Sequence, residues 1–336
     1  MIPPLTPTLE AALRDVRAQS PRFRIAAAQR LAKPPAERYE EALEGLLTLT
    51  TDPVGAVREV AYEAIGELGA REALPHLLKA FGDAHAGARQ AAVLAAGCVA
   101  PNEAAEAIEA LLKDDRPEMR FSAIWTLSRF GNARPEHLSL GLNDTDDEVR
   151  LLTIECSGEL GAKSQAEAIA ALLEDPSSPV RFAAASALAA LGDSRGASTL
   201  RTGLTSADRA FDAAIGLGNL EDHASLEDLA ALARRRFSSP ILRAAAARAL
   251  VRLGDPLGAR VIRDILRGWR IEARQYAVEL VGELGLVSLV PDLARALRRS
   301  ADTEQPVYET TLEQLAPRSL EAQALLASMR QTNHPA

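Results

Sequence analysis

The chain has 336 residues and a net charge of −8, with 47% hydrophobic residues but only 4% aromatic ones. Its apolar content is therefore mostly alanine and leucine, which favour many small, closely packed helices over a core built on large rings. Two cysteines, Cys98 and Cys156, are too few and too far apart for a disulfide framework or a metal site. No run of 18 apolar residues offers a membrane span, and Met1-Ile2-Pro3-Pro4 does not open like a signal peptide, so a reducing cytoplasmic location is expected.

Along the chain, an apolar residue followed by arginine, with alanine three positions on in all but the fifth copy, recurs at Phe23-Arg24, Val57-Arg58, Ala88-Arg89, Met119-Arg120, Val149-Arg150, Val180-Arg181, Leu242-Arg243 and Ala273-Arg274. From Arg58 the steps are 31, 31, 30, 31, 62 and 31 residues. The step of 62 is expected to hide a degenerate copy at Phe211-Asp212, and Val307-Tyr308 reads as a weak tenth. Each unit reads as two helices. Helix A carries apolar residues at helical spacing, such as Leu74, Leu77, Leu78 and Phe81. A turn with aspartate follows, at Asp52, Asp83, Asp114, Asp144 and Asp175. Helix B starts near the apolar-Arg pair and ends in glycine at 69, 131, 161, 192, 254 and 285, where a left-handed residue can stop it. Several A helices carry proline near their start (Pro75, Pro135, Pro256, Pro291), as the first turn allows.

The Asp-x5-Arg spacing, the Ala-x2-Ala and the late Leu-Gly together resemble the HEAT-like repeat first associated with phycobilin lyases, from about Arg22 to Leu315. The resemblance implies an all-α fold: a right-handed α-solenoid of about ten HEAT-like two-helix repeats. It also implies that Asp52/Arg58, Asp83/Arg89, Asp114/Arg120, Asp144/Arg150 and Asp175/Arg181 build a ladder between turn and helix, within and across repeats. Arginine suits that task because its planar fork bonds two acceptors at once. The whole of 1–336 is expected to be one solenoid. It would comprise an N-terminal cap repeat (1–33), regular acidic repeats (34–205), degenerate repeats with a basic convex ridge (206–300), and a C-terminal cap and tail (301–336). Activity does not follow from the resemblance, whose members include lyase subunits, scaffolds and adaptors.

With the motif arginine as zero and 100° per residue, positions −1, +3, +6, +7 and +10 of helix B face the core: Val57, Ala61, Ala64, Ile65 and Leu68 in the second repeat. Positions +1 and +5 point outward, on the concave side in HEAT geometry. They are polar at the chain ends (Glu59/Glu63, Gln275/Glu279) and apolar in the middle. There they supply Leu94, Phe121, Trp125, Leu151, Phe182 and Leu217, with Glu155 beside them. Such a groove suits a partner's amphipathic helix or extended peptide.

Charge is segregated as well. Residues 231–300 hold 14 arginines against six acids, a balance of +8 that leaves −16 for the rest. Arg260, Arg263 and Arg267 share one face of an A helix, and Arg295, Arg298 and Arg299 cluster in the next. They form a basic ridge that could take acidic protein, nucleic acid or anionic lipid. Trp269 and Tyr276 are the only aromatics near it, too few for a base-stacking platform.

Catalytic signals are thin. The five histidines (His76, His85, His137, His223, His334) are scattered. The sequence has no G-x-S-x-G, P-loop or dinucleotide fingerprint, and no repeated His-Glu pairs like those of HEAT-like metal hydroxylases. No cofactor or metal is expected. The expected function is a non-enzymatic adaptor that grips a protein segment in the central groove. A lyase- or chaperone-like subunit holding a small ligand such as a bilin, with Cys98 or Glu155 as its reactive neighbour, is the second reading. An anion-binding module on the ridge is the third.

Overall fold

The computed structural model describes residues 8–235, 238–300 and 302–333; Arg236, Phe237, His334 and the first four residues lie outside them. Among the described residues there are 21 α-helices and no strand, and the chain is an all-α solenoid of two-helix repeats. Contacts divide it into two compact units, 1–168 and 169–336.

In the first unit, A and B helices alternate: α1 (Leu9–Asp15), α2 (Pro21–Leu31), α3 (Tyr39–Leu49), α4 (Gly55–Leu68), α5 (Leu74–Lys79), α6 (Ala86–Val99), α7 (Pro101–Ala110), α8 (Pro117–Arg129), α9 (Pro135–Leu142) and α10 (Asp147–Glu159). The boundary falls within α11 (Ala166–Ala171). The second unit continues with α12 (Ser178–Ala190), α13 (Ala197–Gly203), α14 (Ala210–Asn219), α15 (Leu226–Arg234), α16 (Pro240–Arg252), α17 (Pro256–Leu266), α18 (Ile271–Glu283), α19 (Val290–Leu297), α20 (Gln305–Leu315) and α21 (Leu320–Asn333). Within each unit every B helix packs on the next, α2 on α4 through to α10, and α12 on α14 through to α20.

The alanines explain the close stacking. Val57, Ala61, Ala64 and Ile65 are buried, as are Met119, Ala123 and Leu127 two levels on. Leu68, at the end of the core face, is only half-buried, and Tyr62 completes the layer instead. All six expected end glycines have positive φ, between 62° and 83°. In the seventh repeat that left-handed position falls to Glu221, at φ 52°.

The ladder works differently from a simple pairing at spacing six. Within a repeat, the arginine reaches back six residues to a backbone carbonyl: Arg24 to Ala18, Arg58 to Asp52, Arg89 to Asp83, Arg120 to Asp114, Arg150 to Asp144, Arg181 to Asp175 and Arg274 to Gly268. The carboxylate it grips belongs to the following repeat. Arg24 donates to Asp52 at 2.5 and 2.9 Å, Arg58 to Asp83 at 2.5 and 2.7 Å, and Arg120 to Asp144 at 2.6 and 2.7 Å. Each of these aspartates also accepts from the backbone N–H two residues on, which shapes its own turn. One arginine thus ties a turn, its helix and the next turn together.

Some rungs depart from the pattern, among them Arg243, which donates to the Ala233 carbonyl ten residues back at 3.0 Å. Arg89 donates to Glu118 at 2.7 Å, because Arg116 folds back onto Asp114. That bond, with the Arg116 N–H, holds the Asp114 carboxyl down at about 2. Near the C-terminus Arg274 grips Glu304, with side-chain exposures of only 8% and 1%.

Candidate functional site

In the first unit, the outward positions of the B helices form a surface that is apolar at its centre and acidic around it. Leu94 on α6, Phe121 on α8 and Leu151 on α10 are half-buried, so each shows part of its side chain. Trp125, one turn after Phe121 on the same face of α8, is 36% exposed, and Glu155 stands exposed on α10. Phe121 forms the wall of a cleft of about 280 Å³ shared with Gln90, Pro117, Glu118, Asp146 and Glu148. Glu59 and Glu63 extend the acidic surround on α4.

Electrostatics on this face are strained. Burial, then the neighbouring Glu59 and Glu67, push the Glu63 carboxyl above its ordinary range. Partial desolvation beside its neighbouring helices, then Glu159, does the same to Glu155, exposed though its side chain is. Glu118 is pulled the other way by the Arg89 guanidinium. Cys98 is exposed on α6, but partial burial of its thiol raises its pKa, which does not favour the reactive thiolate.

In the second unit the structure corrects the expected register. Leu217 is fully buried, and so is Ala213, so neither belongs to an outward stripe. The reason is the hidden repeat. Its left-handed residue, Glu221, lies 11 positions after Ala210, just as Gly192 lies 11 after Arg181 and Gly254 lies 11 after Arg243. Ala210, not Asp212, therefore occupies the arginine's place, and the 62-residue interval divides 29 and 33. Leu217 becomes a core position. Phe211 and Ile215 take the outward ones, Phe211 at 36% exposure and its ring 6.2 Å from that of Tyr276. Phe182 is half-buried under the guanidinium of Arg209, 5.2 Å from its ring centre.

The expected ridge has an organised centre. Arg263, Arg267 and Arg295 all bond one carboxylate, Asp292, at 3.2, 3.2 and 2.7 Å. Asp292 is 5% exposed, whereas the arginine side chains keep 36%, 54% and 53% of their surface in solvent. Arg299 reaches the carbonyls of Leu266 and Arg267 at the end of α17, and Arg260 and Arg298 are exposed.

A sequence profile described as HEAT repeats matches residues 6–97 and 135–214, just over half of the chain. The chain is a HEAT-repeat protein. Solved structures carry the same fold. The complex of CpcE and CpcF of phycocyanin lyase from Nostoc sp. PCC7120 matches at a TM-score of 0.53 and 20% identity, over 67% of this chain and 94% of that one. YibA from Escherichia coli matches at a TM-score of 0.59 and 17% identity, over 73% of this chain and 92% of that one. Among curated protein sequences none matches. At these identities the likeness speaks for the HEAT fold and for nothing finer.

Several residues of this HEAT protein's surfaces carry no repeat signal in the sequence. Glu118, Asp146 and Glu148 sit at the starts of α8 and α10, where acids are common in any first helical turn. Only stacking shows that they face one cleft. Asp292 hides for a similar reason: an acid among arginines reads as solvated charge until its burial is seen. Among the described residues no group of His, Cys, Asp and Glu has the arrangement of a metal site, and no helix is long and apolar enough to cross a membrane.

Proposed function

We propose that this HEAT-repeat chain is a non-enzymatic interaction scaffold, and that the outward faces of α6, α8 and α10 bind a segment of a protein partner. The observation that carries this reading is Trp125, held 36% exposed on the same face as an acid-edged cleft. A soluble chain gains nothing from leaving an indole in water, whereas aromatic anchors at the centre of an interface commonly supply most of its binding energy. Asp146, Glu148 and Glu155 around it favour a segment that is apolar on one side and rich in lysine or arginine on the other.

Affinity capture from cells that make the protein, compared between the wild type and Trp125→Ala, tests the proposal. The variant should lose a specific partner while its unfolding free energy changes by less than about 2 kcal/mol, as befits a side chain already partly in solvent. Destabilisation of about 3–5 kcal/mol, the cost of deleting a core aromatic, would make Trp125 a packing residue and overturn the reading. Retention of every captured protein by a folded variant would overturn it equally.

A further inference from the structure

The turn between α17 and α18 carries a feature with no part in the groove. Trp269 is 83% exposed and Ile271, two residues on, is 50% exposed. Around them, residues 256–270 and 290–300 contain seven arginines (260, 263, 267, 270, 295, 298, 299) and two acids, Asp264 and the buried Asp292. Further acids border these stretches in sequence: Asp255 just before α17, Glu272 in the first turn of α18, and Asp302. The Arg270 guanidinium lies 5.5 Å from the Trp269 ring centre, and Arg299 bonds the backbone two residues before Trp269.

We infer that this turn and its arginines form a docking face for an anionic lipid bilayer. An exposed tryptophan on the turn and an exposed isoleucine two residues on, at the start of α18, supply what interfacial insertion needs: an amphipathic ring at headgroup depth and an aliphatic neighbour at the acyl boundary. The arginines supply the second signal, attraction to anionic headgroups, and their forks match phosphate oxygens. Asp292 gives this patch more than loose surface charge. One buried carboxylate holds three guanidiniums close together and neutralises only one of them, so they are pre-set without being silenced. Nucleic acid fits less well. Tyr276 is half-buried against Phe211, so among the described residues Trp269 stands alone as a stacking surface, and Ile271 has no task there.

The experiment uses the full chain with vesicles of mixed phosphatidylglycerol and phosphatidylcholine, and with phosphatidylcholine alone. Co-sedimentation and tryptophan emission are read together. The anionic vesicles should bind the protein, shift its emission to the blue, and release it at high salt; the neutral ones should do neither. Trp269→Phe should remove the emission shift, which assigns it to this indole and not to Trp125. The triple variant Arg260→Glu, Arg270→Glu, Arg298→Glu spares the arginines on Asp292. It should keep its circular dichroism spectrum and lose at least about a hundredfold in partitioning. Absence of binding, equal binding to neutral vesicles, or an emission shift that survives in Trp269→Phe would overturn the proposal. So would the same blue shift with soluble polyglutamate, which would make the face a site for acidic protein instead.

Discussion

The rung between Arg274 and Glu304 offers the sharpest test of how the repeats are held together. Glu304 accepts two guanidinium bonds at 2.8 Å with its side chain 1% exposed, and Arg274 is 8% exposed. With Glu304→Ala, the arginine keeps only the distant Gly268 carbonyl, at 3.3 Å, among its bonds described above. Stranding one partner of a buried ion pair costs about 3–5 kcal/mol, because an uncompensated charge remains in a poorly solvated place. For a unit of this size that corresponds to roughly 6–20 °C in melting temperature. Glu304→Gln keeps an acceptor oxygen and should cost less, about 1.5–3 kcal/mol, the worth of a charged hydrogen bond. The double variant Arg274→Met, Glu304→Met removes both charges and should recover most of the loss, since well-packed apolar side chains often replace a buried pair without penalty. Urea unfolding followed by helix signal, with amide exchange in α18 and α20, reads all three. A single-variant loss below about 1 kcal/mol, or a double variant no better than the single one, would refute the reasoning.

Other expectations follow from named positions. The Asp114 carboxyl, held at about 2 by Arg116, contributes stability that is complete above the unfolded value near 4 and is lost as pH falls toward about 2. Asp114→Asn should therefore flatten the melting-temperature profile across that window and leave its shape above about pH 5 unchanged. Glu221, a glutamate in a left-handed conformation, should be improved by glycine: Glu221→Gly should stabilise by about 1 kcal/mol and slow amide exchange in α14. Before that change, α14 should exchange faster than α12, since it is three residues shorter and has alanine in place of the motif arginine.

The sequence carries the repeat well because its strongest signals are steric and local. Each helix end with a left-handed residue prefers glycine, and six of the seven such ends have it; close stacking prefers alanine, and the core is full of it. Partner choice on the ladder is less legible. A spacing of six marks a turn and its helix, but the arginine's reach across the stack depends on which acid the next turn leaves unoccupied. That is why Arg89 takes Glu118 and not Asp114. The seventh repeat fails for another reason. With its arginine and glycine both gone, even division of 62 residues puts the motif position at Asp212, and two residues are enough to turn Leu217 from core to surface. The candidate groove was legible only in part: Trp125 and Phe121 follow from helical phase, whereas the acids of their cleft come from the starts of two neighbouring helices.

The net charge of the first unit bears on how such a groove would work. Residues 1–168 hold 18 lysines and arginines against 26 acids, a balance of −8. Asp52, Asp83, Asp144 and Glu118 are each matched by a ladder arginine, so the excess must rest on other acids. Glu63 and Glu155 carry part of it on the outward face, and both carboxyls are raised, by burial and by like-charged neighbours. A raised acid is stabilising only when protonated: its charge is tolerated in the free protein and would be relieved by a cation. If the groove receives a basic segment, binding should pull both values back down, and affinity should weaken as pH falls through the raised values and these glutamates lose their charge. Glu155→Gln should lower affinity at neutral pH and reduce that dependence, with the fold unchanged. Titration of partner binding between about pH 7 and pH 4 measures it, the window in which an elevated glutamate changes charge. Affinity that stays flat across that range, or rises on acidification, would mean that the acids of this face do not contact the partner's charge.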